Sequence, residues 1–308
     1  MSVGTLSSIS AEKFTEARRR AFLRSVLHFL KGESNDLLPF DQIRSQLRLT
    51  HSRDLGLQQI ELDQIVGSLG RYEDFTREFF PRRDNDSVEL RWRRIYDLTD
   101  SLEGFPPIEV FKVGEVYFVR DGNHRVSVAR ANGAKTIEAY VIEYLSPINL
   151  TPDDTLDDIL IKLGAANFLE ATHLDKLQPG RNIQLTKPGR YRLLLEHIAV
   201  HKYLKEVECS CEIPYEAAAA SWYDQVYLPL VEEIRERGIL EHFPGRTEAD
   251  LYAWLVLHRG ALEEAHGFGQ VTTEEIIADL EKEGATSLWR RLEWMVRGKP
   301  ELLGMPPG

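Results

Sequence analysis

The sequence predicts an α+β fold: a small mixed sheet, preceded by a helical arm and followed by a mostly helical C-terminal region. Two observations carry this expectation. Ile108–Val113, Val116–Arg120 and Thr136–Tyr144 have strand length and β-branched or aromatic composition, and a short helical pattern separates the last two. Beyond Ser146-Pro147 and Thr151-Pro152-Asp153-Asp154, which have turn chemistry, the pattern is almost wholly helical. The domains are placed at residues 1–55 for the arm, 56–146 for the sheet domain and 147–308 for the helical domain.

Taken in order, residues 10–31 read as one helix. Ser10 is its expected cap, and Phe14, Ala17, Ala21, Val26 and Phe29 form an incomplete apolar stripe. Arg18, Arg19, Arg20 and Arg24 make a basic surface on it. A solvated helix face is the preferred explanation, ahead of a phosphate or nucleic-acid contact. Leu37–Leu49 reads as a second short helix. Between Arg71 and Arg94, seven arginines alternate with Tyr72, Phe75, Phe79, Phe80 and Trp92. Such mixtures stack bases and pair phosphates. Here Glu73, Asp74, Glu78, Asp84, Asp86 and Glu89 dilute the field, so core aromatics with outward arginines are preferred. Further helices are expected at Thr155–Leu163, Gly189–Val207, Tyr215–Arg237 (interrupted by Pro229), Thr247–His266, Thr272–Glu283 and Ser287–Arg297.

The chemistry concentrates in Asp121-Gly122-Asn123-His124-Arg125, between the strand Val116–Arg120 and a helix that ends at Gly133. A sharp strand-to-helix turn turns free backbone N–H groups outward, and the helix dipole adds partial positive charge. Gly122 lets a ligand approach the backbone. His124 and Arg125 add side-chain donors, and the backbone of Gly122, Asn123 and the residues after it would hold a phosphate. Asp121 adds a carboxylate able to hold Mg²⁺ or take a proton. This is the composition of a phosphate cradle, although Asp121 or Asn123 acting only as a helix cap accounts for part of the pattern.

At these residues the sequence resembles the ParB/sulfiredoxin fold, over Gln58 to Tyr144. Ile60-Glu61-Leu62-Asp63-Gln64-Ile65 followed by Gly70-Arg71 resembles that fold's opening strand and loop. Pro106-Pro107-Ile108-Glu109-Val110 resembles its Pro-Ile-x-Val strand. Gly122–Arg125 fall where ParB proteins carry Gly-Glu-Arg-Arg, sulfiredoxins Gly-Cys-His-Arg and ADP-dependent free-serine kinases Asp-Gly-His-Thr-Arg. The resemblance implies nucleotide phosphates (ATP, ADP or CTP) at this turn, with Arg71 pointed toward it. Asn123 replaces the sulfiredoxin cysteine, which excludes that reduction, and no Glu-Asn-x-x-Arg segment of the CTP clamp follows. Gly70-Arg71-Tyr72-Glu73-Asp74-Phe75 and Phe243–Tyr252 also resemble a bacterial family carrying this domain.

Three functions follow as expectations. The first is a nucleotide-phosphate-binding protein, an NTPase or phosphotransferase, with Asp121 and His124 catalytic, Asp121 on Mg²⁺, and Gly122, Asn123, His124, Arg125 and Arg71 on phosphate. The second is a non-catalytic nucleic-acid-binding or transcriptional regulator. A nuclease is third, because it needs more carboxylates near Asp121. Net charge is −11. Residues 1–150 hold 21 Lys+Arg against 22 Asp+Glu and the remainder 17 against 27, so only the N-terminal half is suited to nucleic acid. No apolar run reaches the roughly 18 residues of a membrane span. The chain opens with no charged, apolar leader pattern, and a cytoplasmic protein is expected; homo-oligomerisation is left open. His197, His201, Cys209 and Cys211 are zinc ligands by type, but Cys-x-Cys is tighter than the usual gap. Two ordinary histidines and two buried thiols, too close for a good structural disulfide, are preferred.

Overall fold

Val116–Val119 is a run of four buried β-branched and aromatic residues, and it becomes a central strand. In the computed structural model, which describes residues 8–31, 34–82, 86–98, 106–177, 179–180 and 182–266, this strand is β5, Val116–Asp121. It pairs in parallel with β3 (Ile65–Ser68) and antiparallel with β4 (Ile108–Val113). β4 runs parallel to β6 (Thr136–Tyr144), and β6 antiparallel to β2 (Ser52–Glu61). With the two-residue β1 (Leu38–Pro39) beside β3, the mixed sheet has the order β1-β3-β5-β4-β6-β2. The expected β-β-α-β unit is present, because α4 (Asn123–Ala131) connects β5 to β6.

Three expectations need correction here. The strand expected at Ile60–Ile65 is the end of the longer β2, followed by a 3₁₀ turn at Leu62–Gln64. β2 is an edge strand, exposed along most of its length and bulged at Asp54–Gly56, so it has no period-2 apolar signal. The helix expected over Leu37–Leu49 is only α2, Phe40–Gln46, since Leu38 and Pro39 are in β1. Ser10 is not a cap. It is buried in the first turns of α1 (Ser8–Lys31), donating to Asp97 Oδ2 at 3.4 Å and accepting from Arg93 Nε at 3.3 Å.

α3 (Asp86–Leu98) packs on α4 through Trp92, which is fully buried and donates from Nε1 to Ser127 Oγ at 2.9 Å. Phe14 of α1 lies against the same indole, with centroids 5.5 Å apart. Phe75 and Phe79 are also fully buried, so the aromatics of the Arg71–Arg94 segment include core residues. Arg77 and Arg130 are part of the frame. Arg77 donates to the carbonyls of Pro152 (2.9 Å) and Asp154 (2.8 Å), and Arg130 to those of Leu62 and Ile65.

The chain divides into two compact units, Met1–Ile159 and Leu160–Gly308. α5 covers Leu156–Thr172 and continues well past Leu163. Gly164 does not stop it: a Cβ there would stand 3.1 Å from Tyr191 Cδ2, so this glycine admits a ring. In the second unit follow α6 (Leu174–Leu177), α7 (Arg190–Cys209), α8 (Tyr215–Trp222), α9 (Leu228–Glu236) and α10 (Glu248–His266). A π turn at Tyr223–Tyr227 joins α8 to α9 just before Pro229. The wide turn makes room for a proline ring that would otherwise strike the preceding carbonyls, so the helix deforms there. Trp222, Tyr227, Tyr252 and Phe168 lie in the core of this unit. Thr272–Glu283 and Ser287–Arg297 lie outside the described residues. Among the described residues no helix is long and apolar enough to cross a membrane.

Candidate functional site

The turn after β5 opens α4 without a side-chain cap. Its first helical bond runs from the Val126 N–H to the Gly122 carbonyl at 3.0 Å, so the N–H groups of Asn123, His124 and Arg125 have no partner within the helix. Gly122 has φ of +114°, and a Cβ on it would stand 2.5 Å from Ile108 Cγ2. The residue must be glycine both because its φ is positive and because β4 presses against it, and the second reason, which differs from ligand approach, comes from tertiary packing.

Around this turn lies a cleft of about 340 Å³, lined by Gly70, Arg71, Arg91, Ile95 and Arg120 together with Asp121–Arg125. A second hollow of about 540 Å³ shares Arg71, Arg91 and Ile95 with it and adds Ser87, Leu90 and Arg94. Arg91 and Arg94 are one helical turn apart on α3. Both are exposed, and neither makes an ion pair or side-chain hydrogen bond among the described residues. Trp92 places them there, since burying its ring against α4 turns the flanking arginines toward the cleft.

The structure brings all six expected site residues together and changes the work of several. Arg125 is only 14% exposed in its side chain. Its Nη1 donates to the carbonyls of Pro106 and Pro107, both at 2.8 Å, and its Nη2 pairs with Asp121 Oδ2. Three of its five N–H donors are thus taken by the protein, which ties the side chain to the turn it was expected to serve as a phosphate ligand. Asn123 is buried as well. Its Oδ1 accepts from Ser68 Oγ at 2.9 Å and its Nδ2 donates to the Gly70 carbonyl at 3.4 Å. The side chain fastens the β3 loop, leaving only its backbone N–H for a ligand. Arg71, at φ +57°, reaches the cleft rim with a 3.7 Å ion pair to Asp74.

His124 is 5% exposed, stands edge-on to Phe75 at 5.2 Å between centroids, and has no hydrogen-bond partner on either ring nitrogen. Burial, and then the positive fields of Arg71 and Arg91, lower its pKa from 6.5 to about 4. The imidazole is therefore neutral at pH 7, a donor on one nitrogen and an acceptor on the other. Asp121 is exposed at the rim, 71% in its side chain. Glu109 lies opposite it in the β4–β5 register and pairs with Arg120 at 3.5 Å.

The sequence did not single out Arg91 and Arg94 as ligands. The available signal was their i,i+3 spacing around a tryptophan, which shows one face in and one face out but not what lies opposite.

The possible zinc set does not assemble. His197 Nδ1 takes the Tyr252 hydroxyl at 2.6 Å, and His201 Nε2 is 3.0 Å from Ser221 Oγ. Cys209 and Cys211 are exposed and bonded to each other, which corrects the expectation of buried thiols. Among the described residues no three His, Cys, Asp or Glu gather as a metal site.

No protein-family model matches the chain, and no curated protein does. Solved structures do. A sulfiredoxin from Arabidopsis thaliana is 21% identical, covering 29% of this chain and 86% of its own, with a TM-score of 0.22. The C-terminally truncated chromosome-partitioning protein ParB from Caulobacter crescentus, complexed with CTP-γ-S, is 15% identical over 66% of this chain and 99% of its own, with a TM-score of 0.21. A Pnob8-like ParB-N domain is 10% identical over 80% and 99%, with a TM-score of 0.20. These are proteins of the ParB/sulfiredoxin class. At such scores the likeness carries no argument about the site, which stands on its own geometry.

Proposed function

We propose that the first unit binds the phosphate chain of a nucleotide in the cleft between α3 and the turn at Asp121–Arg125. One observation carries this: the three N–H groups that open α4 and both nitrogens of a buried imidazole border one cleft and have no hydrogen-bond partner among the described residues. Buried polar groups in native proteins are nearly always satisfied, so such a cluster marks a place where a ligand completes the bonding. The positive end of the α4 dipole and the unpaired guanidinium groups of Arg91 and Arg94 give that ligand a negative charge. A phosphate on the N–H groups receives a further hydrogen bond from neutral His124. The next phosphate meets Arg91, Arg94 and Arg71.

Asp121 stands where a phosphate-bound Mg²⁺ would meet the protein, with Glu109 as its neighbouring carboxylate. This is the extent of the support for an NTPase or phosphotransferase. The regulator alternative gains less. Arg20 is bonded to Glu16 at 2.5 Å and Arg24 lies 4.0 Å from Glu78, so the basic face of α1 is partly neutralised.

The test is calorimetric titration of the full chain with ADP, ATP and CTP, with and without Mg²⁺, repeated on Arg91→Ala/Arg94→Ala. At least one nucleotide should bind, with affinity falling at least tenfold in the double variant. Unchanged affinity in that variant, or no binding of any nucleotide, would overturn the proposal.

A further inference from the structure

The two cysteines take no part in the proposed nucleotide site, and their setting has its own chemistry. Cys209 is the last residue of α7, Ser210 is its C-cap, and Cys211 follows. The Cα atoms of the pair are 5.2 Å apart and the residues are exposed. Ser210 sits at φ +52°, the left-handed conformation in which helices commonly end, so the bond between its two neighbours spans a tight turn.

This disulfide is a poor staple. It joins residues two apart, so it removes little chain entropy from the unfolded state and connects nothing that the backbone does not already connect. Exposed disulfides that do little structural work are the ones readily reduced. The reduced state also has bonds waiting for it. Cys209 Sγ lies 3.8 Å from the Glu206 carbonyl and 3.5 Å from the Cys211 carbonyl. Glu206 is among the last four residues of α7, whose carbonyls lack helical donors, so a thiol S–H formed there has an acceptor.

We propose that Cys209 and Cys211 form a reversible redox site, a dithiol–disulfide pair that an external dithiol of the thioredoxin class reduces and a disulfide oxidant restores. In reduction, one thiolate of the external dithiol attacks a sulfur of the pair. The Cys209–Cys211 S–S bond breaks, a mixed disulfide forms, and the departing sulfur takes a proton. The second external thiol displaces the mixed disulfide and leaves as part of an oxidised external disulfide. The protein gains two electrons and two protons.

The position also decides what kind of site this is. A helix C-terminus carries partial negative charge, and Glu206, Glu208 and Glu212 flank the pair, with Glu206 paired to Lys202 and Glu208 to Lys205. Both oppose thiolate formation, unlike the helix N-termini that activate catalytic cysteines. The pair is therefore a target that holds the state in which it is set, rather than a thiol oxidoreductase. Release of the bond removes one constraint on the turn at Ser210 and loosens the end of α7.

The test is maleimide labelling of the folded full-length chain across a dithiothreitol redox series, read by intact mass. The expected course is from no labels to two labels per chain, reversed by oxidised dithiothreitol, with far-ultraviolet circular dichroism unchanged. Hydrogen exchange over residues 205–213 should quicken several-fold in the reduced form. Cys211→Ser should take one label and, with oxidised glutathione, one glutathione adduct. Labelling that begins only in denaturant would make the bond a structural one and overturn the proposal. Two labels in fully oxidising buffer would overturn it also, because the bond would then not form.

Discussion

Two polar turns of this molecule open helices and end in opposite conditions. At α10 in the second unit, the polar side chains of the turn are bonded within the protein. Asp250, 4% exposed, accepts from the Thr186 N–H (2.9 Å), the Thr186 hydroxyl (2.8 Å) and the Thr247 N–H (3.0 Å), while Thr247 Oγ1 accepts from the Asp250 N–H at 3.1 Å. At α4 in the first unit the helix starts on a glycine, its N–H groups have no side-chain cap, and a buried histidine has no hydrogen bond among the described residues. The same physical problem, orphan donors at a helix start, is met by a side-chain cap in one place and by none in the other. The closed turn is a fastening; the open one is a socket. The Phe243–Tyr252 stretch is thereby accounted for as structure, through a Thr–Asp cap tied to Thr186.

The largest expected effect falls on the closed turn. Asp250→Ala should destabilise the second unit by about 3–4 kcal/mol, since three donors lose a charged acceptor, two of them backbone groups. Urea denaturation measures this. Nucleotide affinity at the first unit should not change, and a parallel loss of binding would break the contrast.

The next effect is a pH dependence located in the open turn. His124 is held near pKa 4 when folded, against 6.5 as the ordinary value. The unfolded chain therefore binds a proton more readily. The contribution to stability is fully present above pH 6.5 and is lost as pH falls toward 4, amounting to about 3 kcal/mol at that end. His124→Asn should flatten this part of the stability–pH curve. Bound phosphate favours the protonated ring, so nucleotide affinity should rise as pH falls from 6.5 to 5, with proton uptake seen as a buffer-dependent binding enthalpy.

Arg125→Ala is expected to cost about 2 kcal/mol of stability, because the Pro106 and Pro107 carbonyls and Asp121 lose their donor. Its effect on nucleotide affinity should follow only from loosening of the turn. A variant of normal melting temperature that no longer binds nucleotide would return Arg125 to the ligand. Smallest in stability is Arg91→Ala, within about 0.5 kcal/mol of the parent, as expected for an exposed side chain without a partner. Its effect should be on binding alone, about 1–2 kcal/mol, with a reduced dependence of affinity on salt.

The sequence by itself determined the strands β4, β5 and β6, the short helix α4, the helical character of the second unit up to His266 and the location of the polar turn. Each is local. An apolar β-branched run, a helical period or a turn residue at a fixed offset is written in neighbouring positions. Tertiary structure decided the rest. Edge strand β2 is exposed on most of its length, so no alternation announced it. Gly122 answers to Ile108, fourteen residues away, and Arg125 to the carbonyls of Pro106 and Pro107. Asn123 answers to Ser68 across the sheet. The arginines that complete the cleft come from α3, brought over the turn by one indole bonded to Ser127. A side chain's type states what bonds it can make. Which of them are left for a ligand depends on what the folded chain has already taken, and those partners lie far away in sequence.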